Sequence, residues 1–561
     1  MRNIIIVEAA STGYNYIEDV VRRGYNPVVL EVWTDSEDLK KFREDAYAAA
    51  WHKPDIIREC GTYEETLEAV RKYDPVLIVP GSEDGVTLSV KLSASLGLPG
   101  NPVDMLDAMK TKDGMQEALK QAGIRYILGK RVRTPEEGLA FCQENKLKTA
   151  VVKPISGAGS QGLYLCDNLD EVERAIASLV NTKNFFGKVN EEVLVQERIY
   201  GDEYIVNTIS SCGRHRLNSV LRYKKHKTEE GGYIYDYIEF INHLDAGHNK
   251  LIEYALSVAD AIHYRNGMIH GEYMIDEKGP VLIEVNCRPM GCSQPAEYMD
   301  LIMGQHETDS TLDALLYPEA FAARQNQPYR LQRYGCMKIL QIPEDMDAVD
   351  HPIWEVARQL RSTYKISANA PSSPFTYAKT RDLETAGGLV YMVHKYEHVL
   401  RSDLELLRKT EKYYFQFLLN DGKSRRWFLD GNMGKPDFPA LMKEYNCTGA
   451  VLVAADEQLE IPGAQCVTAG NMENAHKGFD CVIIGFQHTL LELNESACLK
   501  LIFTAMDLVR QGGKVIIPKN TYRYLSYERE GAEDLMLIKG LTLEAPQPGK
   551  TEVVTGTNER Q

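Results

Sequence analysis

Glu272 and Glu284 lie in the stretch HGEYMIDEKGPVLIEVNCRP, 270–289, which otherwise reads as a buried hairpin. With the turn at DEKGP and Lys278 at its centre, Glu272 falls opposite Glu284 and His270 opposite Asn286. Met274 then faces Leu282, and Asp276 faces Pro280. Side chains alternate along a strand, so all of these share one face. Ile269, Tyr273, Ile275, Val281, Ile283 and Val285 form the other, core face. Opposed carboxylates repel. Apolar surroundings enlarge the penalty unless a proton or a cation lies between them. Glu272, Glu284 and the Asn286 amide oxygen are hard ligands suited to Mg²⁺, which keeps several waters and adds substrate phosphates. The plain alternative is a solvated polar face with the carboxylates apart.

Phosphates need their own holders. Ser156, Gly157, Gly159, Ser160 and Gly162 follow a strand that ends at Lys153. Such a loop lets backbone N–H groups approach phosphate oxygens. It is not a P-loop, because no GK[ST] follows, and many Gly-Ser turns bind nothing. Lys153 and Lys112 are candidate phosphate cations; each alone reads equally well as surface.

These residues need elements to position them. Residues 1–100 alternate short β-branched runs (4–7, 27–33, 76–80) with amphipathic segments (16–23, 63–73), the rhythm of parallel β/α units. The first turn, AASTG, lacks the later glycines of a dinucleotide fingerprint. Residues 105–123 read as one helix carrying Lys112, and 150–153 as a strand. Residues 193–199 and 203–210 read as strands joined by YGD, 251–264 as a helix. Residues 221–240, polar, basic and tyrosine-rich, read as a loop. DGKSRR, 421–426, reads as a linker. The expected domains are 1–105, 106–190, 191–420 and 425–561.

The net charge of −16 argues against nucleic acid and anionic membrane as partners. The N-terminal apolar run, 4–7, is too short for a leader or a membrane span. Eleven cysteines without CxxC pairs suit a reducing cytoplasm, with Cys287 and Cys292 beside the hairpin as ordinary buried thiols.

Taken in order, Lys112, VVKPISGAGSQG, VLVQERIYGDEYIVN and the Glu272/Glu284/Asn286 hairpin resemble the ATP-grasp superfamily over about residues 1–420. GSEDGVTLSVKLSASLGLPGN, 81–101, resembles its N-terminal domain. The resemblance implies that Lys112 and Lys153 contact ATP phosphates and that the 156–162 loop closes over them. Gln196, Glu197, Arg198 and Ile199 would form the adenine hinge, with Gln where glutamate often stands. Glu203 would bind ribose. Glu272, Glu284 and Asn286 would hold two Mg²⁺ ions, and Arg288 would steady an acyl phosphate, a task suited to a planar guanidinium. His270 would either assist an incoming amine or simply pack beside Asn286.

The chemistry implied is carboxylate activation: an ATP-dependent carboxylate–amine ligase acting through an acyl phosphate and releasing ADP. GPVLIEVNCRPMG and TRDLETAGGLVYMVHKYEHVLRSDLELLRKTE, 380–411, resemble the L-amino-acid ligase branch, so small carboxylates and amines, amino acids first, are the expected substrates. Purine-biosynthetic and biotin-carboxylase-like enzymes are the alternatives. Residues 425–561 resemble a class I methyltransferase domain, for which S-adenosylmethionine is the cofactor; Asp456 or Glu457 would bond its ribose. The loop Asp430–Gly434 departs from that pattern, with Asn432 at the middle glycine. A ligase–methyltransferase is thus a further reading, and a homodimer is compatible with either. The expected fold class is α/β and α+β multidomain: a Rossmann-like N-terminal domain, an ATP-grasp fold and a Rossmann-like C-terminal domain.

Overall fold

In the computed structural model, the apolar run after Arg2 becomes the centre of a parallel sheet. Strand Asn3–Val7 pairs on one side with Asn26–Glu31 and on the other with Pro75–Pro80, and Asp55–Arg58 adds an edge. That edge strand escapes a reading by hydrophobic pattern, because DIIR is short and charged at both ends. The structure describes residues 2–155, 162–182, 189–227, 233–324, 327–348, 351–368, 375–381, 383, 385–419, 434–525 and 527–559. Helices Asn15–Arg22, Tyr63–Arg71 and Gly85–Leu96 accompany the sheet. The AASTG turn has a packing reason for its glycine: a Cβ on Gly13 would strike the Gly81 carbonyl.

The chain forms two compact units. One is Met1–Cys336 with Arg381–Glu384; the other is Met337–Thr380 with Thr385–Gln561. The first unit holds two antiparallel sheets besides the parallel one. In the smaller, the strands run Gly129–Val132, Val193–Glu197, Ala150–Pro154, Tyr164–Cys166. Helices Pro135–Glu144 and Leu169–Leu179 cover it, and Val152, Ile176 and Val195 meet in its core. Strand Val193–Glu197 belongs here, so the border expected at 190 falls after it.

The larger sheet runs Gly279–Asn286, Gly267–Asp276, Asp202–Ser211, Arg214–Lys227, Tyr233–Phe240. The last two strands correct the loop expected at 221–240: Leu221 pairs with Phe240 and Arg222 with Glu239. YIYDYIEF is rich in β-favouring residues, and that signal outweighs the basic composition before it. Helices Lys112–Gln121 and Ala246–Ala261 pack on this sheet, burying Leu119 and Val258 against Ile269, Leu282 and Val285.

The single helix expected at 105–123 is two. Leu106–Lys110 ends at Thr111, whose backbone is extended; the Thr111 hydroxyl accepts the Gly114 N–H at 3.1 Å and starts Lys112–Gln121. Lys112 is therefore the first residue of a capped helix.

In the second unit, strands Thr363–Ala368 and Gly388–His394 pair antiparallel, and the 23-residue helix Glu397–Leu419 follows. Lys409 on that helix reaches Asp534 at 2.8 Å and Glu530 at 3.0 Å, while Tyr413 stacks on Tyr527 with ring centres 4.0 Å apart. The 421–426 linker lies outside the described residues. The C-terminal sheet runs Ala464–Val467, Val451–Ala454, Phe479–Ile484, Val509–Pro518, Val553–Thr557, Thr542–Leu543; the first four strands are parallel, Val553–Thr557 runs against them, and Thr542–Leu543 pairs antiparallel with Val553–Thr557. A first strand expected near 425–430 is also outside the described residues. Val451–Ala454 pairs directly with both Ala464–Val467 and Phe479–Ile484, so no strand lies between them. The crossover 455–463 contains no helix, whereas parallel crossovers usually carry one.

Candidate functional site

The hairpin sets Glu272 against Glu284 and His270 against Asn286, as the alternation requires. Beyond Glu272 the register slips by one: Tyr273 faces Leu282, Met274 faces Val281 and Asp276 faces Gly279. The expected pairs Met274–Leu282 and Asp276–Pro280 are therefore corrected. One extra residue reverses the parity of that strand segment. Leu282 goes to the core, and Ile283 turns to the polar side. Arg125 clamps the turn, donating to both Asp276 carboxylate oxygens (2.7 and 2.6 Å) and to the Gly279 carbonyl (2.6 Å).

The polar side borders a cavity of about 410 Å³. Lys112, Lys153, Gln196, Glu197, Arg198, Ile199, Glu203, Glu272 and Glu284 line it. The two glutamates are reconciled by separate partners. Lys112 Nζ lies 2.6 Å from Glu284, while Glu272 takes the Tyr223 hydroxyl at 3.1 Å and lies 3.5 Å from His270 Nε2. Burial works against ionisation of all three charged groups. Lys112 and Glu284 overcome it for each other, so the lysine is held above its ordinary range and the carboxyl below. Glu272 is also held low, by His270, Lys225 and the Tyr223 hydroxyl. Among the described residues no carboxylate forms an ion pair with Lys153: burial first, then Lys112, bring it down to about 8.

The remaining predicted residues divide. Gln196 is buried on the Val193–Glu197 strand, opposite Gly129 and Val151. The Glu197 N–H donates to the Leu128 carbonyl at 2.8 Å, and its carboxylate accepts the Leu128 N–H at 3.3 Å. Arg198 turns to Asp167 at 2.5 Å. Glu203 is gripped by Lys225 through both oxygens at 2.7 Å. His270, Asn286 and Arg288 do not border the main cavity. Asn286 donates to Glu284 at 3.4 Å; Arg288 lies 3.5 Å from Glu83 and donates to the Pro289 carbonyl. Ser156, Gly157, Gly159 and Ser160 lie outside the described residues, whereas Gly162 is described, with φ +71.

Tyr223, Lys225 and Tyr235 also line the cavity, with the Lys225 ammonium 4.9 and 4.4 Å from the two ring centres. Reading 221–240 as a loop hid them. The three ligating types Asp300, His306 and Asp309 cluster elsewhere. His306 contacts Asp19 at 2.9 Å and Asp300 at 2.8 Å through its two nitrogens, and these carboxylates raise it to about 10 against the pull of burial. A charged imidazolium has no lone pair for a metal.

For Mg²⁺, the donor set fits: two ionised, half-buried carboxylates directly opposed, with an amide beside one of them.

Residues 148–295 match the ATP-grasp domain family. The chain is 29% identical over 327 residues to dapdiamide A synthase of Enterobacter agglomerans, spanning 57% of this chain and 74% of that protein. Its fold is similar to that of an L-amino acid ligase from Bacillus licheniformis, with a TM-score of 0.56 and 15% identity over 73% of this chain and 97% of that one. It is also similar to N5-carboxyaminoimidazole synthase from Aspergillus clavatus, with a TM-score of 0.54 and 14% identity over 73% and 98%. The opposed carboxylates Glu272 and Glu284 fall inside the matched ATP-grasp domain, and the matches together support an ATP-dependent, ADP-forming carbon–nitrogen ligase.

Proposed function

We propose that the chain joins a small-molecule carboxylate to an amine, amino acids being the first candidates for both, through an acyl phosphate. A carboxylate oxygen attacks the γ-phosphorus and ADP leaves. The amine nitrogen then attacks the acyl carbon, forming the C–N bond as phosphate departs and the nitrogen loses its proton. The observation carrying this reading is the in-register Glu272–Glu284 pair, with Lys112 on one member and Lys153 lining the same cavity. Likeness to dapdiamide A synthase and to an L-amino acid ligase supports the substrate class.

In this reading Lys112 and Lys153 neutralise phosphate oxygens. Gln196 to Ile199 face adenine, and Glu203, oriented by Lys225, accepts from ribose. Glu272, Glu284 and Asn286 would hold Mg²⁺, which supplies charge neutralisation at the transferring phosphoryl group. Arg288 steadies the acyl phosphate, and His270 meets the amine. The test is ADP and phosphate release across amino-acid pairs, with product masses. The reading fails if no pair yields ADP while Glu284→Ala binds Mg·ATP as tightly as the parent.

A cytoplasmic setting suits eleven free thiols, and no helix among the described residues is long and apolar enough to cross a membrane. A homodimer is the assembly proposed, to be checked by light scattering. The methyltransferase-like reading of 425–561 has a specific obstacle. Asp456 accepts the N–H groups of Gln487, His488 and Thr489 at 2.9 to 3.1 Å, and Glu457 pairs with Lys435. Calorimetry of the full chain with S-adenosylmethionine decides it: no heat of binding removes that activity.

A further inference from the structure

The ligase reading uses none of the eleven free thiols, yet two of them meet inside the second unit. The Cys481 thiol donates to Cys447 Sγ with the sulfurs 2.9 Å apart, closer than two unbonded sulfur atoms ordinarily rest. Cys481 stands on strand Phe479–Ile484, between Val451 and Lys514 of the neighbouring strands, and is 2% exposed. Cys447 stands in the loop that leads from helix Phe438–Glu444 into strand Val451–Ala454. It is half-buried, with Asn446 and Thr448 exposed on either side.

The backbone sets this approach from both ends of the loop. Asn446, at φ +52, turns the chain out of the helix, a conformation asparagine accepts. The Cys447 N–H then donates to the Met442 carbonyl at 2.9 Å. At the other end, the Asp480 carboxylate takes the Ala450 N–H at 2.7 Å, and the Asp480 N–H donates to the Ala450 carbonyl at 2.8 Å. Leu441, Tyr445 and Val451 pack with Cys481 and Cys447 in one core. The fold, and not two mobile side chains, holds the sulfurs together.

The two thiols are not equivalent. The hydrogen bond from Cys481, helped by Lys514 and opposed by burial, holds the Cys447 thiol below its ordinary range. The same bond, with burial, pushes Cys481 far above it. Thiolates are the reactive form, so Cys447 is oxidised first and Cys481 is placed to resolve it.

We infer that Cys447 and Cys481 form a reversible oxidation site that a peroxide closes to a disulfide. The Cys447 thiolate attacks one oxygen of hydrogen peroxide, the O–O bond breaks, and Cys447 becomes a sulfenic acid as hydroxide leaves. The Cys481 sulfur then attacks the Cys447 sulfur. The S–O bond breaks, and the hydroxyl departs as water with the Cys481 proton. Two thiols and one peroxide give one disulfide and two waters, with two electrons passing from sulfur to oxygen. A dithiol reverses the step by exchange. In a reducing cytoplasm such a pair rests open and closes on oxidation. The bridge joins residues 34 positions apart and ties the end of helix Phe438–Glu444 to a central strand.

To test this, the full chain is treated with hydrogen peroxide, alkylated with N-ethylmaleimide and digested with trypsin without reduction. Cleavage after Lys443, Lys477 and Lys500 gives peptides 444–477 and 478–500. They should appear as one linked species lacking two hydrogens, with fragmentation placing the bridge at Cys447 and Cys481 and not at Cys466 or Cys498. Dithiothreitol should release them. The exposed Cys212 reports that the peroxide dose was sufficient. Cys212 oxidised while Cys447 is fully alkylated overturns the inference, and so does a bridge through Cys466 or Cys498.

Two variants separate the roles. In Cys481→Ala, dimedone, which traps sulfenic acids, should label Cys447 after peroxide. In Cys447→Ser no bridge should form and Cys481 should stay unlabelled. Label on Cys481 in place of Cys447 overturns the assigned order. Chemical denaturation of the oxidised parent, followed by a probe in the second unit, should shift to a higher midpoint, because the closed loop restricts the unfolded chain. Peroxide should leave the midpoint of Cys447→Ser where it was. A midpoint that falls on bridging means the sulfurs are forced together, and overturns their being preset by the fold.

Discussion

Two regions of this chain place acidic side chains where a nucleotide-type ligand is expected, and they treat them differently. Glu272 and Glu284 project from mid-strand positions into a cavity, and their partners are side chains: Lys112, Tyr223 and His270. Asp456 lies two residues beyond strand Val451–Ala454 and is held by three backbone N–H groups at the start of helix His488–Glu492. Side-chain partners on flexible stems can rearrange around a ligand. Backbone N–H groups at a helix start cannot, since releasing Asp456 would strip the cap from that helix. Offset along the sequence makes the two regions look alike; where the oxygen lone pairs go tells them apart.

The comparison breaks most visibly if the wrong acid matters for ATP. Glu284→Ala leaves the Lys112 ammonium without its counter-ion and removes a proposed Mg²⁺ ligand. The expected loss in ADP formation is about 10³-fold. Asp456→Ala should leave ADP formation unchanged. A comparable loss in Asp456→Ala would show that the C-terminal sheet takes part in the reaction.

The next effect concerns the hairpin itself, and shows how far the sequence is legible. The facing of Glu272 with Glu284 follows from alternation alone, because the residues from 270 to 272 and from 284 to 286 pair without interruption. The irregularity after Glu272 leaves no mark in the residue types: Leu282 and Ile283 are equally apolar, and only three-dimensional pairing shows which one faces the core. Leu282→Ala should therefore cost about 3 kcal/mol of stability as a core truncation. Ile283→Ala should cost less and instead raise the KM for ATP. Thermal unfolding and ATP titration separate the two, and reversed outcomes would restore the unbroken register. Other misses have their own physical causes. Thr111 breaks the expected helix, although a threonine ahead of Lys112-Asp113 is a cap signal in plain sight. Tyr223 and Lys225 sit on a strand whose basic composition masks its pairing. Cys447 and Cys481 come together from a loop and a strand 34 positions apart, so no local pattern announces them.

A smaller effect tests the other side of the comparison. Asp456 acts as a cap, so Asp456→Ala should destabilise the second unit by about 1–2 kcal/mol. Asp456→Asn, which keeps an accepting oxygen, should lose less. The readout is chemical denaturation followed by a probe in 337–561. If neither variant shifts the midpoint, the aspartate is not structural and its availability to a ligand has to be reconsidered.

The smallest effect sharpens the first region by setting its two lysines against each other. Lys112 is held charged by Glu284, while Lys153 is lowered to about 8 by burial and by Lys112. As pH rises through about 8, Lys153 loses its charge and Lys112 keeps its own. The value of kcat/KM for ATP should fall toward tenfold per pH unit above that point. Stability should move the other way. Lys153 has a folded-state value below its ordinary 10.5, so between the two values the unfolded chain binds more protons at this position, and stability rises with pH. Lys153→Met should abolish both trends, leaving a lower kcat/KM that no longer bends near 8. A bend that persists in Lys153→Met would assign it to another group, and a stability that falls over the same interval would mean that Lys153 is paired in the folded protein after all.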